Sequence, residues 1–184
     1  MIGKTIGELT AGDHAEIVQT VTHDHIAGFI HAVGDFNPVH SDPVYAAGTP
    51  FKEPIAPGIY TAGLVSAVIG TRLPGPGAVY VSQSLKFTKP VRAGDTITAR
   101  VEVLEVIRER NRIRLRTTCT NQRNEEVLSG EAWVMPSKVP IVYDEDRRVV
   151  TSLALLTLQP WSWAAQAMSA WAAMVTSLTS AARR

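Results

Sequence analysis

The sequence predicts an α+β domain, an antiparallel sheet with one buried helix laid against it, followed by a C-terminal helical appendage. Three observations carry this prediction. Residues 59–69 are apolar nearly all round (Ile59, Ala62, Leu64, Val65, Val68, Ile69), and a helix without a polar face is a buried one. Residues 79–135 hold four alternating apolar and polar runs with turn signals at regular spacing, the pattern of an antiparallel meander. Such a sheet must cover its apolar face, and the preceding helix is the element available to do so. Beyond Pro136 the composition changes. The boundaries expected are a domain over 1–136, a linker over 137–160 and an amphipathic helix over 161–184.

In chain order, residues 14–21 form a first strand. Thr22 caps a short helix over about 23–33 that carries Ile26, Phe29, Ile30 and Val33 at i, i+3, i+4, i+7 spacing, and Gly34 ends it. Residues 41–56, rich in Pro, Gly, Asp and Ala, read as loop. Pro57 and Gly58 open the buried helix, since Pro is favoured in a first helical turn. Gly70 and Arg72 suit its end, and Leu73-Pro74-Gly75-Pro76-Gly77 breaks it. In the first run of the sheet Val79, Val81, Leu85 and Phe87 alternate with polar neighbours, and Pro90 with Gly94-Asp95 makes the next turn. Ile97, Ala99, Val101 and Val103 alternate in the second run, and a phase slip at Leu104 predicts a bulge. Ile113, Leu115, Thr117 and Cys119 alternate in the third. A turn near 121–124 leads to the last run, about Val127 to Met135.

Composition narrows the function. The chain has 184 residues, 45% hydrophobic and 19% charged, enough to bury a proper core. A net charge of +1 gives no global field for nucleic acid or an anionic membrane. The single cysteine, Cys119, has no internal disulfide partner, which suits a reducing compartment. Met1-Ile2-Gly3-Lys4-Thr5 lacks a signal-peptide apolar region, so the cytoplasm is the expected location. His14, His23, His25 and His31 show no metal-ligand spacing, and no metal is expected; His23 and His25 read as a solvated helix start. Arg112, Arg114 and Arg116 share one strand face, read as a solvated outer surface.

The stretch that offers chemistry is Gly34-Asp35-Phe36-Asn37-Pro38-Val39-His40. Pro38 fixes its own φ and drives Asn37 toward an extended conformation, so Asp35 and His40 project from a stiff, non-helical turn. A carboxylate and an imidazole held together differ in basicity and can share one water. Asp-x-Asn-Pro is also ordinary turn chemistry, so Asp35 has a purely structural use as well.

This motif, followed by Ala46, resembles the signature of the MaoC-like, (R)-specific enoyl-CoA hydratases, also called hydratase 2. The resemblance runs from about Gly7 to Met135. It continues through Phe51-Lys52-Glu53-Pro54-Ile55-Ala56-Pro57-Gly58, Ser66, the Leu-Pro-Gly at 73–75, Ser82-Gln83-Ser84-Leu85-Lys86-Phe87, Pro90-Val91 and Gly94-Asp95. It is strongest to the short single-domain hydratases that feed (R)-3-hydroxyacyl-CoA into bacterial polyhydroxyalkanoate synthesis. The resemblance implies a hot-dog fold, an antiparallel sheet wrapped round a central helix, acting as a homodimer. It implies hydration of trans-2-enoyl-CoA with no cofactor, the coenzyme A thioester being the substrate. It implies that Asp35 and His40 share the catalytic water, that Asn37 braces the turn, that the Gly58 backbone N–H takes the oxyanion role, and that Ser66 supports the site. The residue before that Gly is often His in the family and is Pro57 here, which leaves the N–H of Gly58 in place.

The chemistry agrees with these residues. Adding water across an α,β-unsaturated thioester needs a base, an acid and a donor for the developing enolate oxygen. The free N–H groups and positive dipole end at the start of the buried helix suit the last of these. Two rivals are a hot-dog thioesterase, whose usual carboxylate on the central helix is missing from residues 59–69, and a non-catalytic acyl-thioester binding module, for which the Asp35/His40 pair would be surplus. The appendage carries Trp161, Ala164, Met168, Trp171, Val175 and Leu178 at helical spacing. It is expected either to pack on the domain or a dimer partner, or to dock on a hydrophobic granule coat or partner protein.

Overall fold

A computed structural model describes residues 1–144, and Met1–Tyr143 form one compact unit. In chain order its elements are β1 (Ile2–Gly3), β2 (His14–Thr20), α1 (His23–Val33), α2 (Pro43–Ala47), α3 (Gly58–Thr71), β3 (Val79–Gln83), β4 (Lys86–Phe87), β5 (Thr96–Ile107), β6 (Arg112–Thr120), β7 (Glu126–Met135) and β8 (Ile141–Val142). Single 3-10 turns occupy Ile6–Glu8, Pro38–His40 and Arg108–Arg110.

The main sheet is antiparallel in the order β2-β5-β6-β7-β3, with β4 also paired to β7. Alternation decides its two faces. Ile97, Ala99, Val101 and Val103 of β5, Ile113, Leu115 and Cys119 of β6, and Ala132 and Val134 of β7 are all buried. They meet Val65, Val68 and Ile69 of α3 in one core. The register between β5 and β6 shifts between Val103 and Glu105, where the phase slip at Leu104 predicts a bulge. On the outer face Arg114 pairs with Glu105 and Glu131, and Arg116 with Glu102. Pairs this open to solvent add little stability.

Several expectations are corrected. The four runs over 79–135 are not a simple meander: β3 pairs with β7 at the far edge, while β5 lies beside β2. The first run is also two strands. A bulge separates Tyr80 from Ser82, and the Ser84 backbone comes so close to Gly130 that any Cβ there would overlap its carbonyl. The strand must kink where the two backbones meet, and Gly permits it. Residues 41–56 are not all loop, because Asp42 and Pro43 start α2. The Asp42 carboxylate accepts from the Val44 and Tyr45 N–H groups at 2.8 and 3.1 Å. Helix α3 is not buried all round: Ile59, Gly63, Ser66 and Gly70 form an open face, since the sheet covers only the opposite side. Finally, the unit runs past 136. Strand β8 pairs with β1 and Ser137 bridges to Thr5, so the first residues of the expected linker belong to it. The amphipathic helix expected over 161–184, with its docking role, lies outside the described residues.

Candidate active site

The site begins where α1 stops. Thr22 caps its start, the hydroxyl accepting from the His25 N–H at 3.1 Å. Gly34 ends it in the left-handed region at φ 75°, its N–H donating to the Ile30 carbonyl at 2.8 Å. A left-handed residue reverses the chain direction and suits Gly. Asn37 is extended, as a residue before Pro must be. Its Oδ1 accepts from the Val39 N–H at 3.3 Å and so braces the turn. The turn, expected to be non-helical, is instead one 3-10 turn over Pro38–His40, with Pro38 in the position where its missing N–H costs nothing.

This turn brings Asp35 and His40 together. Asp35 Oδ2 lies 3.5 Å from His40 Nε2, with the imidazole side chain only 10% exposed and the carboxylate 43%. His40 Nδ1 lies 2.8 Å from the Ile55 carbonyl. A carbonyl can only accept, so Nδ1 carries the hydrogen, and whenever the ring is neutral its lone pair is on Nε2. Two acceptors then face each other, Nε2 and the carboxylate, at a separation longer than a good direct hydrogen bond. A water donating one hydrogen to each resolves that opposition.

The same segment builds the rest of the site. The Ile55 N–H donates to the Val39 carbonyl at 3.2 Å, and Ala56 N–H to the Val91 carbonyl at 2.7 Å. Three residues beyond Ile55, Gly58 opens α3. As the first helical residue its N–H has no intrahelical acceptor, and among the described residues none takes it. A Cβ on Gly58 would stand 3.0–3.2 Å from three carbons of the Phe87 ring, so any larger residue presses on that ring beside the helix start. Gly58 also lines a cavity of about 420 Å³ whose wall includes Phe51, Ile55, Thr61, Phe87 and Val127.

Ser66 does not join this group. It is exposed on the open face of α3; like Asp35 and His40 it is not among the residues lining the cavity, and it forms no hydrogen bond with either of them among the described residues. Cys119 is fully buried behind Thr61, with Sγ 3.8 Å from the Thr61 carbonyl. Burial pushes its thiol up to about 12, which leaves it without nucleophilic thiolate at neutral pH. The Ile55 carbonyl was invisible to sequence reasoning, because a main-chain acceptor leaves no mark on residue type. Among the described residues no cluster of three or more His, Cys, Asp or Glu could hold a metal ion, and no helix is long and apolar enough to cross a membrane.

Comparison with known proteins agrees with this architecture. The MaoC like domain matches residues 10–125. The chain is 50% identical over 133 residues to a 3-hydroxybutyryl-CoA dehydratase of Methylorubrum extorquens, covering 72% of this chain and 82% of that protein. It is 47% identical over 128 residues to an (R)-specific enoyl-CoA hydratase of Rhodospirillum rubrum, covering 70% and 88%. The unliganded R-hydratase PhaJ1 of Pseudomonas aeruginosa superposes with a TM-score of 0.72 at 40% identity, covering 78% of this chain and 94% of that one. The sheet and helix found here are thus the hot-dog arrangement of these neighbours, and the chain belongs to the MaoC-like domain family.

Proposed function

We propose that the chain hydrates trans-2-enoyl-CoA to (R)-3-hydroxyacyl-CoA, reversibly, with Asp35 and His40 activating one water. The observation that carries this reading is the facing pair of acceptors, Asp35 Oδ2 and His40 Nε2 at 3.5 Å, with Nδ1 already committed to the Ile55 carbonyl. The names of the hydratase and dehydratase relatives support the reaction class and, for the (R)-specific ones, the product hand.

The steps follow from the residues. The bridging water attacks C3 of the enoyl group as the Asp35/His40 pair takes one of its protons. The other hydrogen stays on the new hydroxyl. Negative charge moves to the thioester oxygen, where the Gly58 N–H at the positive end of α3 donates to it. The pair then returns its proton to C2, so the hydroxyl and the hydrogen both come from one water on one face. A base that also serves as the acid ends each turnover in its starting state. No electrons pass to a carrier, so the reaction calls for no redox cofactor.

A thioesterase is disfavoured because no residue of α3 is Asp or Glu. The active species in this reading is a homodimer, whose second copy would cover the open face of α3; light scattering at the eluted peak tests that. Crotonyl-CoA separates the readings of activity. Loss of the enoyl absorbance without free thiol, giving the (R) product on chiral analysis, supports hydration. Free thiol would mean hydrolysis, and neither change at any acyl length would mean a binding module.

A further inference from the structure

We infer that Thr61 is a second catalytic donor, its hydroxyl sharing with the Gly58 N–H the oxygen of the substrate thioester. The inference rests on the hydratase reading above. Thr61 is 2% exposed and lines the same cavity as Gly58. It lies three residues further along α3, so the two share one side of the helix. Every helical Cα–Cβ bond tilts toward the helix N-terminus, so the Thr61 side chain leans back over the turn that Gly58 begins. A capping box uses the same direction, with a Glu or Gln reaching back to a main-chain N–H three residues before it. Thr is too short to close that gap, and a ligand oxygen placed there accepts from both groups.

The protein gives this hydroxyl no other use. A Thr inside a helix commonly turns its Oγ1 back to the carbonyl four residues earlier. Thr71, at the far end of α3, does so and donates to the Ala67 carbonyl at 2.7 Å. For Thr61 that carbonyl belongs to Pro57, which accepts from the Tyr60 N–H at 3.0 Å. Cys119 Sγ meets only the Thr61 carbonyl, and the Thr61 hydroxyl has no hydrogen bond to any described residue. Arg92 Nε is the one fully sealed side-chain nitrogen or oxygen without a partner among the described residues. The unbonded Thr61 Oγ1 is therefore not sealed, and the small area it exposes opens on the cavity. The other polar side chains of that wall are engaged. Thr88 Oγ1 donates to the Glu126 carbonyl at 2.6 Å, and Lys89 Nζ donates to Glu125 Oε1 at 2.6 Å. A hydroxyl kept in a largely apolar wall without a partner costs stability. It is set to donate at the moment charge develops on the thioester oxygen, and the Gly58 N–H faces that same oxygen.

The test reads rate, stability and the carbonyl itself. Thr61→Val removes the hydroxyl at nearly constant shape, and Thr61→Ser keeps it. Thr61→Val is expected to lower kcat for crotonyl-CoA about 100-fold with KM changed far less, as when one oxyanion donor is lost. Thr61→Ser is expected to keep most of the rate. Butyryl-CoA labelled with ¹³C at the thioester carbon has no double bond to hydrate, so its bound carbonyl is read by infrared difference spectroscopy. Each donor on that oxygen lowers the stretching frequency. The band is expected at lower frequency in wild type and Thr61→Ser than in Thr61→Val. The melting temperature of Thr61→Val should equal or exceed that of wild type, since an unbonded buried hydroxyl does not stabilise the fold. Wild-type kcat in Thr61→Val overturns the inference. So does a lowered kcat with an unmoved carbonyl band, or with a lowered melting temperature, which would mark a structural bond. Asp35→Ala and His40→Ala run alongside. Near-wild-type turnover in those two would sink the hydratase reading itself, whereas their loss beside a fully active Thr61→Val sinks only the role of Thr61.

Discussion

The inner face of the sheet and the stretch from Asp35 to Ile59 are built on opposite terms. On the inner face every second residue of β5 as far as Val103, and of β6, is buried, nearly all are apolar, and the ladders satisfy the backbone. Its one buried hydroxyl on β6, Thr117, receives a hydrogen bond from Gln83 at 2.9 Å. Between Asp35 and Ile59 the chain leaves things open. Two acceptors face each other, a helix-start N–H has no partner among the described residues, and Phe36, Phe51 and Ile59 are 65, 39 and 57% exposed. Folding of the single chain does not favour that second set, and the chemistry proposed above falls within it.

Four measurements break or sharpen the contrast. The largest effect is expected at the pair. Asp35→Ala and His40→Ala should each lower kcat by roughly 10²–10⁴-fold with the melting temperature nearly unchanged, because each removes an acid/base group from a half-open site. Melting temperatures that fall with activity would mean that the pair holds the fold. Next comes the reverse case. Leu115→Ala, at a fully buried position of β6, should cost about 2–5 kcal/mol in urea unfolding. The fraction still folded should turn over crotonyl-CoA at the wild-type rate. Smaller again is Gly58→Ala. Its added Cβ pushes on the Phe87 ring and narrows the approach to the helix start, and a fall in kcat/KM of about tenfold is expected. An unchanged value would remove the Gly58 N–H from the site.

The smallest effect lies far from the chemistry. Glu125 accepts from Asn121, Lys89 and Arg123, and these bonds hold its carboxyl down at about 2, below the model-peptide value of 4.5. A carboxylate with a depressed folded value stabilises the protein fully above the unfolded value and loses that contribution as pH falls through the folded one. The melting-temperature gap between wild type and Glu125→Gln should therefore be constant above pH 5 and shrink from there towards pH 2. A gap that widens in acid would show that these contacts are not made in solution.

Much of the fold was legible because its signals are periodic and local. The Thr22 cap, the Gly34 stop and the bulge at Leu104 each depend on a few neighbouring residues, and each is where the pattern puts it. The strand order was not legible. Alternation tells which residues face inward but carries no information on which edge a strand joins, so β3 beside β7 had to come from tertiary packing. The all-round burial expected of α3 failed for a related reason: an apolar helix records that something covers it, and not whether that cover is its own sheet or another surface.

For the site, the sequence by itself determined the chemical groups and their stiff spacing, Asp35 and His40 across Asn37-Pro38, because proline geometry is local. Only the tertiary structure decided how that spacing becomes a working arrangement. It set the Ile55 carbonyl on Nδ1 and left Nε2 to face the carboxylate. The physical reason is that a ring's hydrogen is assigned by whatever acceptor lies beside it in space, and here that acceptor is a main-chain oxygen fifteen residues further along the chain.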